Sequence, residues 1–81
     1  MGSRVLSTYP DLATYLLESG DTQARLAVAV GANQAHISRI AAGDAVPRPA
    51  LAIRIAKYAR IPLDSFTRVY LAKHPTLAAS G

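Results

Sequence analysis

Four side chains in the stretch ANQAHISRIAAG, residues 32–43, are spaced to act together: Gln34, Ala35, Ser38 and Arg39. On a helix they fall on one side, while Ile37 and Ile40, three residues apart, fall on the other and can reach a core. An amide, a methyl, a hydroxyl and a guanidinium on the free side of an anchored helix can read the edges of base pairs in a groove. A merely solvated helix face has the same appearance, so the stretch by itself leaves both readings open. It carries its own boundaries. Asn33 is a good N-cap, since its side chain can accept from a first-turn N–H. Gly43 can take the left-handed conformation that closes a helix.

Other chemistry is poorly provided for. The two histidines, His36 and His74, lie far apart in the sequence, and there is no cysteine. No pair of ligands has metal-site spacing. No serine or carboxylate stands at a useful spacing from a histidine, and no glycine-rich phosphate loop is present. The expectation is a protein without metal or cofactor that is not an enzyme.

The chain has 81 residues, enough for one small domain, and 51% of them are apolar, so a core can form without staples. The absence of cysteine excludes disulfides. No apolar run approaches the roughly 20 residues that span a bilayer, and no signal peptide is visible. The expected location is the cytoplasm. The formal charge is +4, and it is unevenly placed. Residues 1–21 carry Arg4 against Asp11, Glu18 and Asp21, whereas residues 22–81 carry eight basic residues against Asp44 and Asp64. A basic region around the candidate helix suits a polyanion, although ordinary solubility charge accounts for it as well.

The elements that must position the stretch follow from caps and periodicity. Residues 1–7 carry no pattern and read as a disordered segment or tag remnant. Thr8 is the expected cap of a first helix, with Pro10 in its first turn and Leu12, Tyr15 and Leu16 inward; Gly20 ends it. Thr22 caps a second helix with Leu26, Ala27 and Val30 on one face, and Gly31 closes it. Only Gly31, Ala32 and Asn33 then separate it from the third, which forces the two to cross steeply. Pro47 and Pro49 mark a loop. A fourth helix is predicted from Pro49 to Ala59, with Ala52, Ile55, Ala56 and Ala59 inward and Arg54, Lys57 and Arg60 forming a basic outer face. Pro62 is expected to open a fifth, with Leu63, Phe66 and Tyr70 inward, leaving Val69 and Leu71 without an inward role. His74-Pro75 ends it, because a residue before proline avoids helical geometry. Residues 75–81 are expected to form a flexible tail, and no segment alternates like a strand. The prediction is an all-α domain of five short helices over residues 8–74.

Thr22-Gln23, Ala27, Gly31, Ile37, Ile40, Gly43 and Pro47, continued by RIAKYARIPLDSF, resemble the Cro/repressor type of helix-turn-helix, the XRE family, over about residues 9–71. The resemblance implies a compact five-helix, lambda-repressor-like domain with the helix-turn-helix at about 22–42. It implies a cytoplasmic, sequence-specific regulator of transcription in a bacterial or phage-infected cell, acting as a repressor on double-stranded DNA. Carried over by position, Gln34, Ala35, Ser38 and Arg39 would read bases: Gln34 an adenine, Ala35 a thymine methyl, Arg39 a guanine. Gln23, Asn33, His36 and Arg48 would lie at phosphate or, for Arg48, in the minor groove. Plain capping is the alternative for Gln23 and Asn33, and solvation for His36 and Arg48. One recognition helix spans few base pairs, so a homodimer on a palindromic operator is expected, either standing or formed only on DNA, with Val69 and Leu71 as its seam. The other function open to the same fold is a small protein-interaction module, an antitoxin-like partner. Two positions depart from the family pattern. Asp21 stands where an apolar residue is usual, and Arg60 stands where glycine often ends the fourth helix.

Overall fold

The computed structural model describes residues 9–76, and they form five helices with no strand among them: α1 Leu12–Ser19, α2 Gln23–Val30, α3 Gln34–Ala42, α4 Pro49–Ala59 and α5 Ser65–Lys73. All five expected helices are present. The expected disordered segment 1–7, the Thr8 cap and residues 77–81 of the expected tail lie outside the described residues.

α1 begins later than Thr8 and Pro10 foretold. Its N-cap is Asp11, in extended backbone, whose Oδ1 accepts from the Thr14 N–H at 2.8 Å. Pro10 therefore precedes the helix instead of lying in its first turn. α5 also begins later. Pro62, Leu63 and Asp64 form a turn in which the Pro62 carbonyl accepts from the Ser65 N–H. Leu63 is thereby left 52% exposed and is not a core residue, contrary to the sequence expectation. Its place is taken by Ile61, 4% exposed, which lies between helices and so outside any helical period. Beyond α5, Pro75 and Thr76, the first two residues of the expected tail, are helical.

One core joins the helices. Leu12 and Tyr15 of α1, Leu26, Ala27 and Val30 of α2, Ile37 and Ile40 of α3, Ala52, Ile55 and Ala59 of α4, and Ile61 and Phe66 are all buried. α2 packs on both α3 and α4, and α1 on α3. Small Ala27, 3% exposed, lets α2 and α3 approach closely at their crossing. The N-terminal segment is tied to the far end of the chain. The Tyr9 N–H donates to the Arg60 carbonyl, and Arg68 Nη2 donates to the Pro10 carbonyl at 2.9 Å. Tyr9, Tyr15 and Tyr58 form a chain of edge-to-face rings beside them.

Candidate nucleic-acid interface

The start of α2 is built by two side chains. Thr22 Oγ1 accepts from the Arg25 N–H at 3.1 Å, as its capping role requires. Asp21 fills the position where the family has an apolar residue, and it does so as an acceptor. Its Oδ1 accepts from the Thr22 N–H and its Oδ2 from the Tyr15 hydroxyl. Burial, reinforced by the Asp21 hydrogen bond and charge, pushes the Tyr15 phenol up to about 12. The missing apolar contact is thus replaced by a polar tie between α1 and the start of α2.

The turn between α2 and α3 is short because each residue has a fixed task. Gly31 takes φ +72°, and the Ala32 N–H closes back on the Ala27 carbonyl at 2.8 Å. Asn33 is extended, and its Oδ1 accepts from the Ala35 N–H at 2.7 Å. This is the capping role expected of Asn33, and the residue is exposed. α2 and α3 therefore form a helix-turn-helix, with α3 pinned by Ile37 at 0% and Ile40 at 3% exposure.

The predicted site residues separate into groups. Gln34, Ala35 and Arg39 are exposed along the outer side of α3, and none of the exposed large apolar residues lies on this helix. Ser38 is half-buried and does not project as they do. It lines a shallow depression with Leu16, Leu17, Gln23 and Ala41, where α1 and the start of α2 meet α3. The fold thus brings Gln23 and Ser38 together in one crease, a pairing that positions in sequence did not reveal. His36 is half-buried. Arg48 is exposed at the start of α4, as N-cap without a side-chain capping bond.

Residues 12–66 match the family model described as Helix-turn-helix. The chain belongs to the helix-turn-helix family, of the Cro/XRE type. Comparison with curated proteins and with solved structures gave no match. This is a family of DNA-binding transcription regulators, and the all-α five-helix fold is the one the sequence resemblance implied. Among the described residues, no helix is long and apolar enough to cross a membrane, and no group of His, Cys, Asp or Glu is placed to hold a metal ion.

Against the helix-turn-helix pattern, several residues have roles that the sequence did not announce. Arg54, expected on a basic outer face, donates from Nε to the Val30 carbonyl at 3.0 Å and so caps the C-terminus of α2. Val69, expected to have no inward role, sits against Gly43: its Cγ1 is 3.1 Å from where a Cβ there would stand. Leu71 is half-buried. Lys73 bridges to Asp44 at 2.6 Å and donates to the Ala42 carbonyl at 3.3 Å. The Lys73 hydrogen bond holds the Asp44 carboxyl below its ordinary range, helped by the nearby charges of Lys73, His74 and Arg39. No local sequence signal marks these contacts, because each joins residues more than twenty positions apart.

Proposed function

We propose that this protein is a sequence-specific transcriptional repressor that lays α3 in the major groove of double-stranded DNA. The observation that carries this reading is the division of α3 into a side sunk in the core, Ile37 and Ile40, and a free side holding Gln34, Ala35 and Arg39. An amide and a guanidinium on a rigidly anchored helix are donors suited to adenine and guanine edges. Gln23, Asn33 and Arg48, around the start of α2, the turn and the start of α4, are assigned to backbone phosphates, with Arg48 also suited to the minor groove. His36 is assigned to phosphate and Ser38 to a base at the edge of the crease. A protein-binding module of the same fold would present large apolar side chains on this face. The outer side of α3 has none, which favours DNA.

The protein acts in the cytoplasm, without cofactor or catalysis, as a homodimer on a palindromic operator, since a single α3 spans too few base pairs to select a genomic site. Of the two residues expected at the seam, Val69 is occupied on Gly43, so the seam is assigned to Leu71 and its neighbours on α5. Selection of bound sites from random DNA at two salt concentrations tests the reading. The expected result is one enriched inverted repeat, bound more weakly at higher salt as counterion release requires. Failure to enrich any motif, with no salt dependence, would overturn it.

A further inference from the structure

The C-terminal end of α3 is held by contacts that the recognition reading leaves without a purpose. Gly43 ends the helix at φ +86°, buried, with Val69 Cγ1 and Lys73 Cδ of α5 lying over it. The Ala42 carbonyl, at the end of α3 where intrahelical partners run out, accepts from Lys73 Nζ. The Asp44 N–H donates to the Arg39 carbonyl at 2.8 Å, and the Asp44 carboxylate pairs with the same Lys73 Nζ at 2.6 Å. A continuous path of polar contacts therefore runs from the last turn of α5 to the backbone of Arg39.

Neither stability nor charge attraction to DNA accounts for this arrangement. Both side chains are close to half exposed, 47% and 45%, and ion pairs of that kind contribute little to stability. Moreover, a carboxylate next to a helix that approaches a polyanion is repelled by it. Asp44 thus works against DNA binding unless its position serves another end. The core anchors Ile37 and Ile40 fix where α3 sits. The contacts at Ala42, Gly43 and Asp44 fix the last turn of the helix from its far end, the turn that begins with Arg39, whose own carbonyl accepts from the Asp44 N–H.

We propose that Lys73 and Asp44 are positioning residues for base recognition, the last turn of α5 acting as a splint that sets the attitude of the last turn of α3. The inference rests on the DNA-binding reading above, and Lys73 and Asp44 act through the backbone of α3, without touching DNA. The consequence is a reversal of sign. Plain electrostatics makes Asp44→Asn bind all DNA more tightly. The splint makes Asp44→Asn bind the selected site more weakly, by roughly three- to thirty-fold, while binding to random DNA is unchanged or tighter.

The test compares wild type, Asp44→Asn, Lys73→Met and Lys73→Arg on the selected site and on random DNA. Amide hydrogen exchange of the free proteins is followed at the Asp44 N–H. Asp44→Asn and Lys73→Met are expected to lose the ratio of specific to random binding, and Lys73→Arg to restore most of it. In Lys73→Met the Asp44 N–H should exchange faster, while the Leu26 N–H in the core of α2 does not. Asp44→Asn binding the selected site as well as or better than wild type overturns the splint alone, as does unchanged Asp44 exchange in Lys73→Met. A wild type that selects no DNA overturns the underlying reading, and the splint's role in recognition with it.

Discussion

Replacing Arg60 by glycine should make the protein more stable. Arg60 ends α4 at φ 58°, ψ 51°, the one non-glycine residue at positive φ among those described. A left-handed residue with a Cβ carries a cost of about 1–2 kcal/mol. Glycine removes that cost but adds freedom to the unfolded chain, which takes back roughly 0.4–1 kcal/mol. The expected net gain is about 1 kcal/mol, or about 4–8 °C in Tm for a domain of this size. Little else is lost. The Arg60 side chain is exposed, and the contacts of this residue run through its backbone: its N–H donates to the Ala56 carbonyl, and its carbonyl accepts from Tyr9. Urea denaturation reads the gain as a higher midpoint at constant slope. Arg60→Ala is the control, because it removes the same charge while keeping the Cβ. An equal rise in both variants would place the gain in charge and refute the backbone argument, and no rise in Arg60→Gly would refute it outright.

Ile37, on the inner side of α3, is fully buried, so Ile37→Ala should cost roughly 2–5 kcal/mol through lost burial and a cavity, read by the same denaturation. Tyr15 should titrate near 12 in a spectrophotometric titration, against an ordinary 10.0. Because its folded pKa is raised, its contribution is fully present below pH 10 and is lost as pH rises toward 12. Asp21→Asn should bring that midpoint down without abolishing the shift, since burial is the larger cause; a Tyr15 midpoint unchanged in Asp21→Asn would contradict the Asp21 contact. The Asp44 carboxyl should titrate below 3.8 by NMR and move back up in Lys73→Met. With a depressed folded pKa, what the pair contributes is present above the unfolded value and fades as pH falls through the folded one.

Most of the fold was legible in the sequence because caps and breakers act locally. Thr22, Asn33, Gly31 and Gly43 each do what their type predicts, and the faces of α2, α3 and α4 follow from spacing alone. The misplacements fall where two local signals compete. Thr8-Pro10 suggested an earlier start for α1, but the Asp11 carboxylate reaches the Thr14 N–H and sets the boundary. Pro62 suggested an earlier start for α5, but the turn it opens precedes the helix, which exposes Leu63 and lets Ile61 into the core. In the candidate site, Gln34, Ala35 and Arg39 are exposed as their positions on the helix require. Ser38 shares that face in projection, yet the neighbouring α1 rises beside it, and helical period carries no information about a neighbour's height. The roles of Arg54, Val69 and Lys73 were invisible for the same reason: each depends on a partner brought near only by tertiary packing.

The central claim, that the free side of α3 reads bases, is tested most directly by measuring the affinity of Arg39→Ala for the selected site and for single-base variants of it. The account predicts a loss of about 1–3 kcal/mol on the selected site, with discrimination blurred at one base position and retained at the others. An Arg39→Ala protein with the affinity and base preference of wild type would contradict it.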